Sequence, residues 1–196
     1  MKAFAPVRTV APVGELVSLA GAKVQCRVEG DEEDDLIASL VAAATDHLDG
    51  YSGVLGQALL TQTWTQSFDC FPGGRELRLP LGPIGETVTI ASFDAAGAVQ
   101  AFSAFSAMTD AIGPVLHLDS DASWPSTAWR PDAVTVTWTC GFGADASAVP
   151  AGIVQAVKLM VGHWYVNREA VNVGNIVNDF PWAVDALLAP HRKVGV

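Results

Sequence analysis

Four histidines, three cysteines and a run of acidic residues are the side chains in this 196-residue chain best suited to chemistry. His47 and His163 fall on helical patterns, yet neither has a second His or Cys three or four residues on, as a shared metal would require. His117 falls in a strand-like stretch and His191 near the end, and none of the four stands beside Ser or Cys in a nucleophile signature. The run Glu29–Asp35 lacks the alternating ligands and closing glutamate of a calcium loop. It reads as a helix start instead, with Asp31 as the cap and Glu32, Glu33, Asp34 and Asp35 in the first turn, where the helix dipole favours negative charge. Gly73-Gly74 has no following Lys-Ser/Thr, so it reads as a turn and not a phosphate cradle. Cys26, Cys70 and Cys140 are odd in number and lack metal spacing, which fits reduced thiols in a cytoplasm. The expectation is no catalytic residue, no metal and no cofactor: the chain is not an enzyme.

The elements that position these residues follow from periodicity. Residues 1–17 read as an extended N-terminal arm with Ala-Pro at 5–6 and 11–12. Ser18 caps a short helix to about Arg27, though Gly21 stands where a capping-box glutamate would serve better. Leu36, Ile37, Leu40, Val41, Ala44, Leu48 and Tyr51 then recur at helical spacing, and Gly50 and Gly53 end that helix. From residue 59 the period becomes that of strands: Leu60–Phe71, Arg75–Pro80, Thr87–Phe93, Val99–Phe102, Val115–Leu118 and Val134–Cys140. Asp94-Ala95-Ala96-Gly97 makes a hairpin turn, and an irregular segment carries Trp124-Pro125 and Trp129-Arg130-Pro131. Helix returns at Pro150, with Ile153, Val154, Val157, Met160, Val161, Trp164 and Tyr165 as a wide apolar stripe. His163-Trp164-Tyr165-Val166-Asn167-Arg168-Glu169 reads both as the end of a core helix and as an anchor for a subunit contact. A loop over Ala170–Asp179 leads to a last short helix, Pro181 to about Ala189. The fold class is α+β: a helical core of about four helices (18–58 and 148–196) interrupted by an antiparallel β insertion (59–146), in one domain.

Composition narrows the function further. Charged residues are 16% of the chain, against ~25% in a typical globular protein. A chain so poor in charge is expected to cover part of its surface with other subunits. The net charge of −10 argues against a DNA-wrapping surface, which needs dense basic patches. The six tryptophans lack the basic groove that base-stacking platforms carry. Neither a signal peptide nor a transmembrane span is apparent, so a soluble protein made in the cytoplasm is expected, with no membrane partner.

Several stretches, in order, carry a family resemblance. They are Leu16-Val17-Ser18-Leu19-Ala20 leading to Lys23, and Asp34–Ala44 followed by Leu48 and Tyr51-Ser52-Gly53. Next come Leu60-Thr61-Gln62-Thr63-Trp64 and Phe71-Pro72-Gly73 with Leu79-Pro80. Pro131-Asp132-Ala133-Val134, Val149-Pro150 and His163-Trp164-Tyr165 with Asn167-Arg168-Glu169 complete the set. Together they resemble the head–tail connector (adaptor, or head-completion) family of long-tailed phages, prophages and gene transfer agents. The resemblance implies a structural subunit in a homo-oligomeric ring, usually of twelve copies, incorporated into a phage-like particle at the head–tail neck. Such a ring joins the portal protein of a DNA-filled head to a downstream stopper or tail-terminator protein, and DNA passes through without sequence-specific binding. The alternatives are another neck or tail-completion subunit, or an enzyme of unrecognised type. The last helix is too short to persist alone, so Phe180, Trp182, Val184, Leu187 and Leu188, with Arg192 and Lys193 at the tip, are expected to dock into a partner. The alternative is that this helix packs back on the helix Ile153–Tyr165.

Overall fold

The computed structural model describes residues 1–168 and 182–193. The expected loop over 170–179, and Phe180, lie outside the described residues. The chain is α+β. Its elements run β1 (Val7–Val10), α1 (Leu19–Cys26), α2 (Asp34–Leu48), β2 (Gln62–Phe68), β3 (Glu76–Arg78) and β4 (Ile84–Phe93). They continue with β5 (Val99–Phe102), β6 (Phe105–Thr109), β7 (Pro114–Leu118), β8 (Val134–Cys140), α3 (Ala151–Val166) and α4 (Trp182–Leu188). Two compact units result, each assembled from separated stretches: a sheet unit from residues 1–13 and 60–142, and a helical unit from 14–59 and 143–193.

The sheet unit holds a five-stranded sheet in the order β1-β2-β8-β4-β5 and a three-stranded sheet in the order β3-β7-β6. Neighbouring strands are antiparallel throughout. Alternation sets the register. Gln62, Trp64, Gln66 and Phe68 on β2 and Val134, Val136, Trp138 and Cys140 on β8 are all buried, and Trp64 lies opposite Trp138. A slip of either strand by one residue would turn its indole to solvent, so the register is strongly specified. The Trp138 indole N–H donates to the Leu81 carbonyl at 3.2 Å, which satisfies its one buried donor. Phe71 stacks on Trp124 with ring centres 4.8 Å apart. Gly141, just past β8, adopts φ +132°, and a Cβ there would come within 2.4 Å of the Leu60 carbonyl oxygen. Only glycine fits that crossing.

Two elements of this unit differ from the sequence reading. The stretch read as an arm contributes β1, and β6 is a strand where none was expected. Phe105-Ser106-Ala107-Met108-Thr109 is largely exposed, so it lacks the buried alternation that marks a strand in sequence.

In the helical unit the Ser18 side chain accepts from the Gly21 N–H at 3.2 Å, and Arg27 ends α1 in the left-handed conformation. The second helix corrects an expectation: Asp31 is not its cap. Asp31 to Glu33 form a turn in which the Asp34 N–H bonds to the Asp31 carbonyl, and α2 begins at Asp34 with Glu33 in the cap position and no side-chain cap bond. Glu33 is drawn instead to the end of α3, as described below. Pro150 also sits one place earlier than expected, at the cap position before α3. Ile37, Ala44 and Leu48 of α2 and Ile153, Ala156, Val157, Met160 and Val161 of α3 form the buried core.

Candidate assembly surfaces

The residues with chemical potential do not converge. Among the described residues no group of three His, Cys, Asp or Glu could hold a metal ion. His117 Nδ1 is 3.8 Å from the Glu76 carboxylate, while His163 lies near Asn167, which caps the end of α3. His191 offers its backbone carbonyl to Gln57, and His47 is exposed on α2. The three cysteines form no disulfide. Burial, then the nearby Glu33 carboxylate, pushes the Cys26 thiol pKa upward. Both effects oppose formation of the Cys26 thiolate.

The structure is more informative about surfaces. On the face of the five-stranded sheet opposite the buried one lie Thr63, Thr65 and Ser67 of β2, Thr135, Thr137 and Thr139 of β8, and Thr87, Thr89 and Ala91 of β4, none of them buried. Register places Val7 and Val10 of β1 and Val99 and Ala101 of β5 on the same side. Four of these eight hydroxyls, on Thr65, Thr89, Thr137 and Thr139, bond within the protein. Thr65 Oγ1 and Thr137 Oγ1 are 3.0 Å apart, Thr139 Oγ1 accepts from the Thr87 N–H and donates to its carbonyl, and Thr9 donates to the Thr63 carbonyl.

One end of this face is bordered by residues 127–132. Arg130 stacks over Phe93 at 3.7 Å from the ring centre, and Asp132 holds its guanidinium through two hydrogen bonds at 2.6 and 2.8 Å. Asp132 is thereby kept below the usual carboxylate pKa range. A groove of about 480 Å³ runs here between Lys2, Phe4, Asp69, Cys70 and Trp129, and continues past Val7, Thr65 and Ser67. Trp129 is fully exposed.

The hairpin between β6 and β7 is tied together at its turn by one carboxylate. The Asp110 carboxylate accepts from the Ile112 and Gly113 N–H groups and from both ends of the Arg78 guanidinium. The Arg78 hydrogen bond, then those backbone donors, depress the Asp110 pKa far below its ordinary value.

In the helical unit the Glu33 carboxylate receives the Tyr165 hydroxyl and the Arg168 guanidinium, and Arg168 lies over the Tyr165 ring. The Tyr165 hydrogen bond first, then Arg168, lowers the Glu33 pKa. The cluster at the end of α3 is thus a clasp to the start of α2. Of the C-terminal residues expected to meet a partner, Phe180 and the Trp182 side chain lie outside what is described, and the others divide in two. Val184 and Leu188 are buried, at 0% and 2% exposure, where α4 packs on α3. The half-buried Leu187 and Lys193 and the exposed Arg192 reach the surface, with Arg192 paired to Asp185 at 2.7 Å.

The outer threonine face and Trp129 were missed in the sequence. Thr-x-Thr-x-Ser at 63–67 and Thr-x-Thr-x-Thr at 135–139 were the available signal, but only the pairing of β2 with β8 assembles them. No helix among the described residues is long and apolar enough to cross a membrane.

No protein-family model matches the chain, and no curated protein matches it. Solved structures do. A chain in the neck of an empty gene transfer agent (GTA) particle, computed with C6 symmetry, superposes with a TM-score of 0.79 at 24% identity. A chain in the virion of a native GTA particle gives 0.76 at 25% identity, and one in the neck of a native GTA particle, computed with C12 symmetry, gives 0.71 at 21%. Each match covers 98% of this chain and 97% of the other. The fold is that of neck chains of gene transfer agent particles, and it agrees with the connector resemblance read from the ordered motifs.

Proposed function

We propose that this chain is a structural, non-enzymatic subunit of the neck of a phage-like particle: a head–tail connector that assembles as a ring of twelve between the portal of a DNA-filled head and the next neck or tail component. The observation that carries this reading is end-to-end likeness to neck chains, covering 98% of this chain and 97% of the other. The lack of a converging reactive cluster among the described residues is consistent with it. So is an acidic chain past which DNA can move without being held.

Within this reading the C-terminal segment contacts the portal. Val184 and Leu188 fasten α4 to its own unit, and Leu187, Arg192 and Lys193 face the partner. Two measurements test the proposal. Electron microscopy of particles carrying a labelled copy of this chain should place it in a symmetric ring at the neck, and one or two copies elsewhere would reject the reading. Removing residues 189–196, which spares Val184 and Leu188, should leave a folded protein that no longer attaches to heads. A truncated protein that attaches normally would confine the error to the C-terminal contact.

A further inference from the structure

Resting on the ring reading, we propose that each copy buries the outer, hydroxyl-lined face of its five-stranded sheet, with Trp129 as the anchor, against the next copy. Four observations carry this.

The first is charge. Two copies of a −10 chain repel, and contact is least opposed where acid is sparse. The sequence places five basic and eight acidic residues in the sheet unit, against six and thirteen in the helical unit. The outer positions of β2 and β8 hold no charged side chain. Interface cores are depleted in charge in the same way.

The second is desolvation. A hydroxyl removed from water without a partner is costly. Thr65, Thr137, Thr139 and Thr9 already have partners within the sheet. A covering surface therefore has to supply polar groups for Thr63, Ser67, Thr87 and Thr135 but not for these, while the threonine methyls provide apolar contact.

The third is area. Five strands spaced ~4.8 Å apart and about seven residues long at ~3.3 Å each span roughly 450 Å². A fully exposed Trp129 adds an indole of up to ~250 Å². The sum approaches the ~800 Å² per partner of a standard stable interface, and tryptophan is among the residues that most often dominate binding energy.

The fourth is the edge. Copies could instead join strand to strand, but β1 carries a bulge between Arg8 and Val10 and is flanked by Pro6 and Pro12. Bulges and prolines are devices that blunt an open edge. That counts against a strand-to-strand contact at the β1 edge.

A closed ring needs two different complementary surfaces, so the covered face meets another part of the neighbouring copy and not its own equivalent. The full-length protein, assembled into rings alone and then with portal, supplies the test. Oxidative footprinting should label Trp129 readily in the dispersed subunit and about tenfold less in the ring of this chain alone. Thr137→Arg should abolish the ring, and Trp129→Ala should weaken assembly about tenfold or more. Ile112→Arg, on the exposed β6–β7 turn, should leave it intact. Trp129 labelled equally in ring and subunit overturns the proposal even if Thr137→Arg fails to fold. So does protection that appears only when portal or another neck protein is added, since the face then belongs to that partner. A folded Thr137→Arg that still forms rings overturns it as well. A wild-type chain that forms no ring in particles would overturn the connector reading, and with it this inference.

Discussion

The two units solve the same problem of stability with different chemistry. The helical unit carries most of the acid, and its described ion pairs, Lys23 to Asp34, Arg168 to Glu33 and Arg192 to Asp185, join helix ends or neighbouring segments. The described ion pairs of the sheet unit lie on the three-stranded sheet and its hairpin or in the 127–132 segment, as in Arg78 with Asp110 and Arg130 with Asp132, and the middle of the outer face is left to threonine. A surface that has to remain in water can hold charge. One that is to be covered does better with groups already satisfied at home.

The sharpest way to break this comparison lies on one strand. Trp138 and Thr137 are neighbours on β8 that point to opposite faces. Trp138→Ala should cost about 3–5 kcal/mol, enough to melt the sheet unit in a denaturant titration followed by tryptophan fluorescence. A loss under ~1 kcal/mol would mean that the inner face is not the unit's core. In the helical unit Met160, fully buried on α3, should cost about 2–5 kcal/mol when changed to Ala, read by helical circular dichroism. Ser18→Ala removes the cap of α1 and should cost about 1 kcal/mol, while Ser18→Asp should keep most of the stability.

Acid separates the units further. The described carboxylates held below their ordinary range number one in the helical unit, Glu33, and four in the sheet unit, Asp69, Asp94, Asp110 and Asp132. A depressed carboxylate stabilises the fold above its unfolded pKa of about 4, and that contribution is lost as pH falls through the lower folded value. Glu33→Gln should therefore remove part of the helical unit's loss of stability below about pH 4 and leave the sheet unit's acid response unchanged, as read by hydrogen exchange resolved by segment. The smallest effect belongs to Thr137→Val, within about 0.5 kcal/mol of wild type. Near-neutrality there beside a large loss at Trp138 is what a face reserved for contact requires.

Much of this architecture was legible before the structure. Strong alternation places β8 at Val134–Cys140, the turn at 94–97 places β5 at Val99–Phe102 as expected, and Ser18 marks the start of α1. The failures have physical causes. Asp31 looked like a cap because Asp is a favoured capping residue ahead of an apolar period, but residues 31–33 form a turn and Glu33 bonds to Tyr165 and Arg168, which are distant in sequence. β1 and β6 were invisible because both are exposed along nearly their whole length and so carry no buried side to generate a pattern. The outer face could not be read because it exists only once residues some seventy positions apart, Thr65 and Thr137, lie side by side.

The interleaving of the two units in the chain has a consequence for how the protein is made. All strands have been synthesised by residue 142, whereas α3 and α4, which complete the helical unit, come afterwards. At ~5–20 residues per second the last fifty or so residues take roughly 3–10 s to appear. During that interval Ile37, Ala44 and Leu48 of α2 have no α3 to cover them. The nascent chain then exposes an apolar stripe while its sheet can already form, so slow translation of the final quarter should favour chaperone capture or aggregation over anything the mature subunit shows.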